Sequence, residues 1–260
     1  MARRWKRPPP GPARDEGHTL SKVPTGIRGL DEVLEGGLPR GRTSLFTGGP
    51  GCGKSVLALE FLYHRAQAGD PGIFLTFEER AEAVRENART LGIDLARLEE
   101  EGLLFLHHAH VDPRAVVTGE FDLGALLAIV RGKARAMGAR MVVFDALDVL
   151  LRLFDDPARE RRELYLLHDW LAQEGLTAVL TVKSYLGSEA GGRYEFLDFL
   201  ADCVVYLDQR VEGEVATRRL RVVKYRGSGY GRNAYPFVIS SSCLLYTSPS
   251  PRDLSTSRMP

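Results

Sequence analysis

Residues 43–68 read TSLFTGGPGCGKSVLALEFLYHRAQA, and the eight residues Gly48-Gly49-Pro50-Gly51-Cys52-Gly53-Lys54-Ser55 inside them decide the fold. They fit the pattern G-x-x-x-x-G-K-S/T, set between a β-prone run at Thr43–Thr47 and a helix predicted over Gly53–Ala68. That helix carries Val56, Leu57, Leu59, Phe61, Leu62 and Tyr63 on helical spacing. The chemistry requires this placement. Glycines let the backbone wrap an anion, so that successive N–H groups and a helix N-terminus point at a phosphate. Lys54 can then reach the β- and γ-phosphates of a bound nucleotide, and the Ser55 hydroxyl can ligate Mg²⁺.

Outward from this loop, strands alternate with helices. Gly72–Phe77 (GIFLTF), Leu103–Leu106, Met141–Phe144 and Leu176–Val182 are apolar runs of strand length. Between them, helices are expected over 79–91, 94–101, Phe121–Met137 and Pro157–Glu174. The alternation predicts right-handed crossovers and a mainly parallel α/β sheet with helices on both faces. Cys203–Leu207 and Thr217–Tyr225 flank a polar turn at Glu212–Glu214 and predict an antiparallel hairpin extending that sheet.

Two strand ends carry acids. Asp145 closes the run MVVFD, at the carboxyl end of a parallel strand where such sheets bind ligands, and is a candidate to hold Mg²⁺ directly or through water. Glu78 and Glu79 close GIFLTF. A carboxylate there can orient a water for in-line attack on a γ-phosphorus and take up its proton. Adjacent side chains diverge, so unequal roles are expected, with Glu78 favoured as the water-orienting base.

Composition narrows the rest. The 260 residues hold 35 basic against 34 acidic side chains, so no global field advertises nucleic acid or a membrane as partner. No apolar run approaches the ~20 residues of a spanning helix. Cys52, Cys203 and Cys243 are too few and scattered for a disulfide framework, and a soluble intracellular, cytoplasmic domain is expected. Residues 1–20, with five basic residues and Pro8–Pro10, are read as a solvated tail outside the fold. Residues 243–260 contain CLLYTSPSPRD and resemble translated sequencing-adapter sequence. The folded domain is therefore expected to occupy 21–242, cut short by the read.

Taken together, TGIRGLDEVLEGGLPRGRTSLFTGGPGCGKS, IFLTFEE, VVFDAL and VVKYRGSGYGRNAYPFVIS resemble one ATPase domain of the KaiC group, within the RecA-like P-loop ATPases. The likeness runs from about Val23 to Ser240. It implies a homo-hexameric ring with nucleotide between subunits, in which Lys224 and Arg226 reach the γ-phosphate of the adjacent protomer as a finger supplied in trans. It also implies Mg²⁺-dependent, slow ATP hydrolysis that switches a conformation or an unidentified protein partner. A RadA-type recombination ATPase and a nucleotide-binding signalling scaffold with little turnover are the alternatives. One departure stands out: the family often has Thr-x-Glu after the fifth strand, where this chain has Thr181-Val182-Lys183.

Three further features have bland readings. His107, His108 and His110 are expected to be a solvated strand-end turn rather than a metal site. Cys52 is read as a small residue that fits a tight loop. The loop Gly187–Gly192, with Arg193 and Tyr194, is a faint footprint for DNA, which is not expected as a partner.

Overall fold

A computed structural model describes residues 20–111, 114, 121–154, 156–183, 195–212, 215–239 and 246–247. Its first elements are a two-stranded antiparallel pair, β1 (Lys22–Val23) with β2 (Leu38–Pro39), and the short helix α1 (Leu30–Val33) between them. Then come β3 (Thr43–Gly48), α2 (Lys54–Gln67), β4 (Gly72–Thr76), α3 (Ala81–Thr90), α4 (Leu95–Glu100) and β5 (Leu104–His108). The second half holds α5 (Leu123–Met137), β6 (Met141–Asp145), α6 (Leu147–Leu151), α7 (Pro157–Glu174), β7 (Thr177–Lys183), α8 (Glu195–Leu200), β8 (Cys203–Glu212), β9 (Val215–Tyr225), β10 (Tyr235–Val238) and β11 (Tyr246–Thr247).

Nine of the described strands form one sheet in the order β11-β10-β9-β8-β3-β7-β6-β4-β5. From β8 to β5 every pairing is parallel, and β9, β10 and β11 add on antiparallel. This is the RecA-like α/β arrangement expected, with its hairpin at the end of the chain.

Local chemistry explains the element ends. Asp156 accepts a hydrogen bond from Ala158 N and Pro157 opens α7, which stops at Gly175 in the left-handed region. Asp122 caps α5 in the same way through Gly124 N, which moves the helix start two residues beyond the predicted Phe121. Because successive strand residues face opposite ways, the sheet feeds two cores. Phe46, Phe74, Val143 and Val205 pack with Leu57, Phe61 and Leu62 of α2. Leu45, Ile73, Val142, Phe144 and Leu180 pack with Val130 of α5 and Leu164, Leu167 and Trp170 of α7.

Several elements differ from the sequence reading. The third strand runs to His108, two residues beyond Leu106, because its backbone pairs with β4 through Thr76. Helix α6, the β1–β2 pair and β10 were not expected; each is too short for periodicity to register. Tyr246 and Thr247, inside the segment 243–260, pair with Val238 and Phe237. Among the described residues, no helix is long and apolar enough to cross a membrane.

Strand register positions the site. Gly48 lies beside Lys183, and Thr76 beside Asp145. The carboxyl ends of β3, β7, β6 and β4 therefore meet along one rim.

Candidate functional site

The phosphate loop leaves β3 at Gly48, where φ is +149° and an added Cβ would lie 1.9 Å from the carbonyl oxygen of Leu207 on β8. Only glycine lets β3 and β8 approach this closely at the point where the loop departs. Gly51 and Gly53 also adopt positive φ, 72° and 93°, which turns the chain into the N-terminus of α2. Lys54 is buried, and its Nζ donates to the carbonyls of Gly48 (2.9 Å) and Gly49 (2.7 Å). Burial pulls its ammonium below the ordinary lysine value, partly offset by the charges of Cys52 and Asp148.

Asp145 ends β6 and is buried. Thr181 Oγ1 on β7 donates to its Oδ1 at 2.7 Å and itself accepts from Ala146 N at 2.7 Å. Burial pushes the Asp145 carboxyl up, while hydrogen bonds from Thr181 and Ser55 pull it back toward the charged form. Ser55 and Asp145 thus meet across the loop and present hard oxygen donors of the kind Mg²⁺ takes.

Glu78 and Glu79 part company, as expected of neighbours. The Glu79 side chain accepts from Asn87 Nδ2 at 3.0 Å on α3, and its backbone N–H is held by Thr76 Oγ1 at 3.1 Å. Glu78 faces a cleft of about 420 Å³ that it lines with Pro50, Gly51, Lys54, Ser55, Asp148 and Lys183. In that cleft Lys183 Nζ donates to both Glu78 oxygens, at 2.7 and 2.9 Å.

Sequence reasoning missed two members of this rim. Asp148, buried in α6, accepts from Lys183 N at 3.0 Å and so anchors the end of β7. Arg218 on β9 donates from Nε to Gly51 O at 3.2 Å and closes over the loop. Neither lies in a motif. Both are legible only in the tertiary packing.

Lys224 and Arg226 lie elsewhere. Tyr225 pairs with Cys203 and Leu220 with Leu207, so the end of β9 is level with the start of β3, four strand positions from Gly48. Lys224 Nζ donates to the Asp198 carbonyl and, at 3.4 Å, to that of Phe199. Arg226 Nη2 donates to Phe199 O at 2.7 Å. Both cations cap the carbonyl end of α8, on the rim opposite the phosphate loop of their own chain.

Of the remaining candidates, His107 and His108 correct the expected turn, because pairing with β4 extends the strand through both of them. Cys52 is buried inside the loop, and burial raises its thiol pKa. His107 and His108 belong to edge strand β5, and burial and the neighbouring His110 lower the His108 pKa. Among the described residues, no group of three or more His, Cys, Asp or Glu could hold a metal ion. Residues 187–194 lie outside the described residues.

Comparison with known proteins gives the family. The family model "ATPase: KaiC" matches residues 23–248. Circadian clock protein KaiC2 of Synechocystis sp. is 39% identical over 226 residues, which is 86% of this chain and 39% of that protein. Circadian clock oscillator protein KaiC of Synechococcus elongatus is 37% identical over 227 residues, 86% of this chain and 44% of its own length. The protein of the same name from Thermostichus vulcanus is 34% identical over 237 residues, 90% and 46% of the two chains. The chain therefore spans less than half the length of these relatives. With a matched model across most of its residues and a phosphate loop, strand-end aspartate and paired glutamates on one rim, the chain belongs to the KaiC family of ATPases.

Proposed function

We propose that this chain binds ATP at the cleft between the phosphate loop and β7 and hydrolyses it slowly, using the cycle to switch a conformation or a partner. The observation that carries the reading is the convergence on one rim of Lys54, the Ser55–Asp145 pair and the Glu78 carboxylate. The glycine loop would wrap the phosphates with backbone N–H groups, and Lys54 would exchange its bonds to the Gly48 and Gly49 carbonyls for phosphate oxygens. Ser55 and Asp145 would hold Mg²⁺, which neutralises charge on the phosphate oxygens when bound. Glu78 would orient the attacking water and take its proton. Thr181 keeps the Asp145 carboxylate aimed, and the tie of Glu79 to Asn87 leaves Glu78 as the reactive member of the pair.

The ring reading rests on Lys224 and Arg226. Four strand positions separate them from the level of Gly48, a span of about 13 Å at the usual strand rise, so their own nucleotide is out of reach. On the opposite rim they suit the nucleotide of a neighbouring copy, which favours a closed ring, hexameric as the resemblance implies. The cytoplasm, where ATP and Mg²⁺ are available, is the compartment this chemistry requires.

The test is ATP turnover by the purified chain with Mg²⁺ and with chelator, beside Lys54→Ala. Mg²⁺-dependent phosphate release that Lys54→Ala abolishes is expected. Tight ATP binding retained in that variant would remove the phosphate-loop assignment. Sedimentation with and without ATP tests assembly, with nucleotide expected to drive association.

A further inference from the structure

We propose that Lys183 is a second phosphate-facing cation of the cleft and that it gates Glu78: the γ-phosphate and the Glu78 carboxylate compete for one ammonium group. The proposal rests on the ATPase reading and adds to it a residue that discriminates ATP from ADP.

Three observations place Lys183 in this role. Its backbone is fixed, because Lys183 N donates to the buried Asp148 Oδ1 and Lys183 pairs with Gly48, where the phosphate loop begins. Its ammonium lies in the same cleft as Lys54, close enough that its charge helps lower the Lys54 pKa. And it holds both oxygens of Glu78 at 2.7 and 2.9 Å. A carboxylate engaged on both oxygens by an ammonium is a poor acceptor for a water proton. The pair is also open to competition. The side chains are 31% and 48% exposed, and an ion pair that exposed shifts an equilibrium by only about fivefold or less. A triphosphate concentrates far more negative charge in the cleft than one carboxylate does. A γ-phosphate would therefore draw the ammonium away and free Glu78, whereas a diphosphate, ending short of Lys183, would leave the pair closed. Substrate thereby uncovers the base that acts on it.

The test is affinity for a non-hydrolysable ATP analogue and for ADP, each with Mg²⁺, in the full chain and its variants, with folding checked by thermal melting. Lys183→Met is expected to weaken the ATP analogue about tenfold while ADP changes less than about twofold, and Lys183→Arg to keep most of the difference. Glu78→Gln is expected to tighten the analogue several-fold by releasing the ammonium, and to do so only where Lys183 is present. Equal tightening by Glu78→Gln in the Lys183→Met background would mean simple charge repulsion and overturn the gate. An unchanged ratio of ATP-analogue to ADP affinity in Lys183→Met would overturn the phosphate contact while leaving the ATPase reading intact. A wild-type chain that binds neither nucleotide would overturn the ATPase reading itself.

Discussion

Thr181 Oγ1 donates to Asp145 Oδ1 at 2.7 Å while accepting the N–H of Ala146, so one buried hydroxyl aims the strand-end carboxylate and holds the turn that follows it. Ala146 has φ +58°, a conformation costly for a residue with a Cβ, and its N–H would be orphaned without this acceptor. Thr181→Val keeps the shape and deletes both bonds. It is expected to destabilise the chain by about 1–3 kcal/mol in a urea melt and to raise the Mg²⁺ concentration needed for half-maximal turnover. Unchanged Mg²⁺ dependence would show that the hydroxyl serves the fold alone.

Gly48→Ala should be among the most damaging single-methyl changes. The new Cβ would meet the Leu207 carbonyl oxygen at 1.9 Å, at φ +149°, and the nearest atoms are all Leu207 backbone, with no flexible side chain to yield. A loss of about 3 kcal/mol or more is expected, read as a lowered melting temperature. Gly51, with open space around its Cβ position, should lose less.

Buried Cys203 gives a pH signature. Burial raises its thiol pKa from 9.0 to about 12, so the folded chain keeps a proton that the unfolded chain releases. The stability this contributes is complete below pH 9 and is lost as pH rises through about 12. Cys203→Ala should flatten the alkaline limb of a stability–pH curve. At pH 8 the Cys203 thiol should resist maleimide until the chain is unfolded.

A complementation experiment tests action in trans. A Lys54→Ala protomer has a dead loop but intact Arg226, and an Arg226→Ala protomer has the reverse. Each alone is expected to turn over at least about tenfold more slowly than wild type, and mixed assemblies to regain part of the rate at mixed interfaces. No recovery on mixing, with assembly verified, would confine Arg226 to capping α8.

Much of this was readable along the chain. Glycines at 48, 51 and 53 followed by Lys54 and Ser55 point to an anion loop because the backbone itself would supply the ligand groups, and Asp145 and Glu78 stand out as candidates because each closes an apolar run. Glu79 was harder. Its neighbour gave the same local signal, and only Asn87, one element away, draws its side chain aside. Asp148 and Arg218 carried no local mark, since a buried acid on a five-residue helix and one arginine among several on β9 look ordinary until packing sets them beside Lys183 and Gly51.

Periodicity, turn residues and the phosphate loop were enough to determine the α/β class and to point to the rim on which the candidate ligand groups gather, because those properties depend on contacts within single strand–turn–helix units. The tertiary structure alone decided how charges are shared. Pairing of β7 with β3 and β6 puts Lys183 against Glu78 and Thr181 against Asp145, and the antiparallel return of β9 carries Lys224 and Arg226 to the far rim. The first two of those relationships join residues 105 and 36 positions apart, over which local propensity carries no information and register decides.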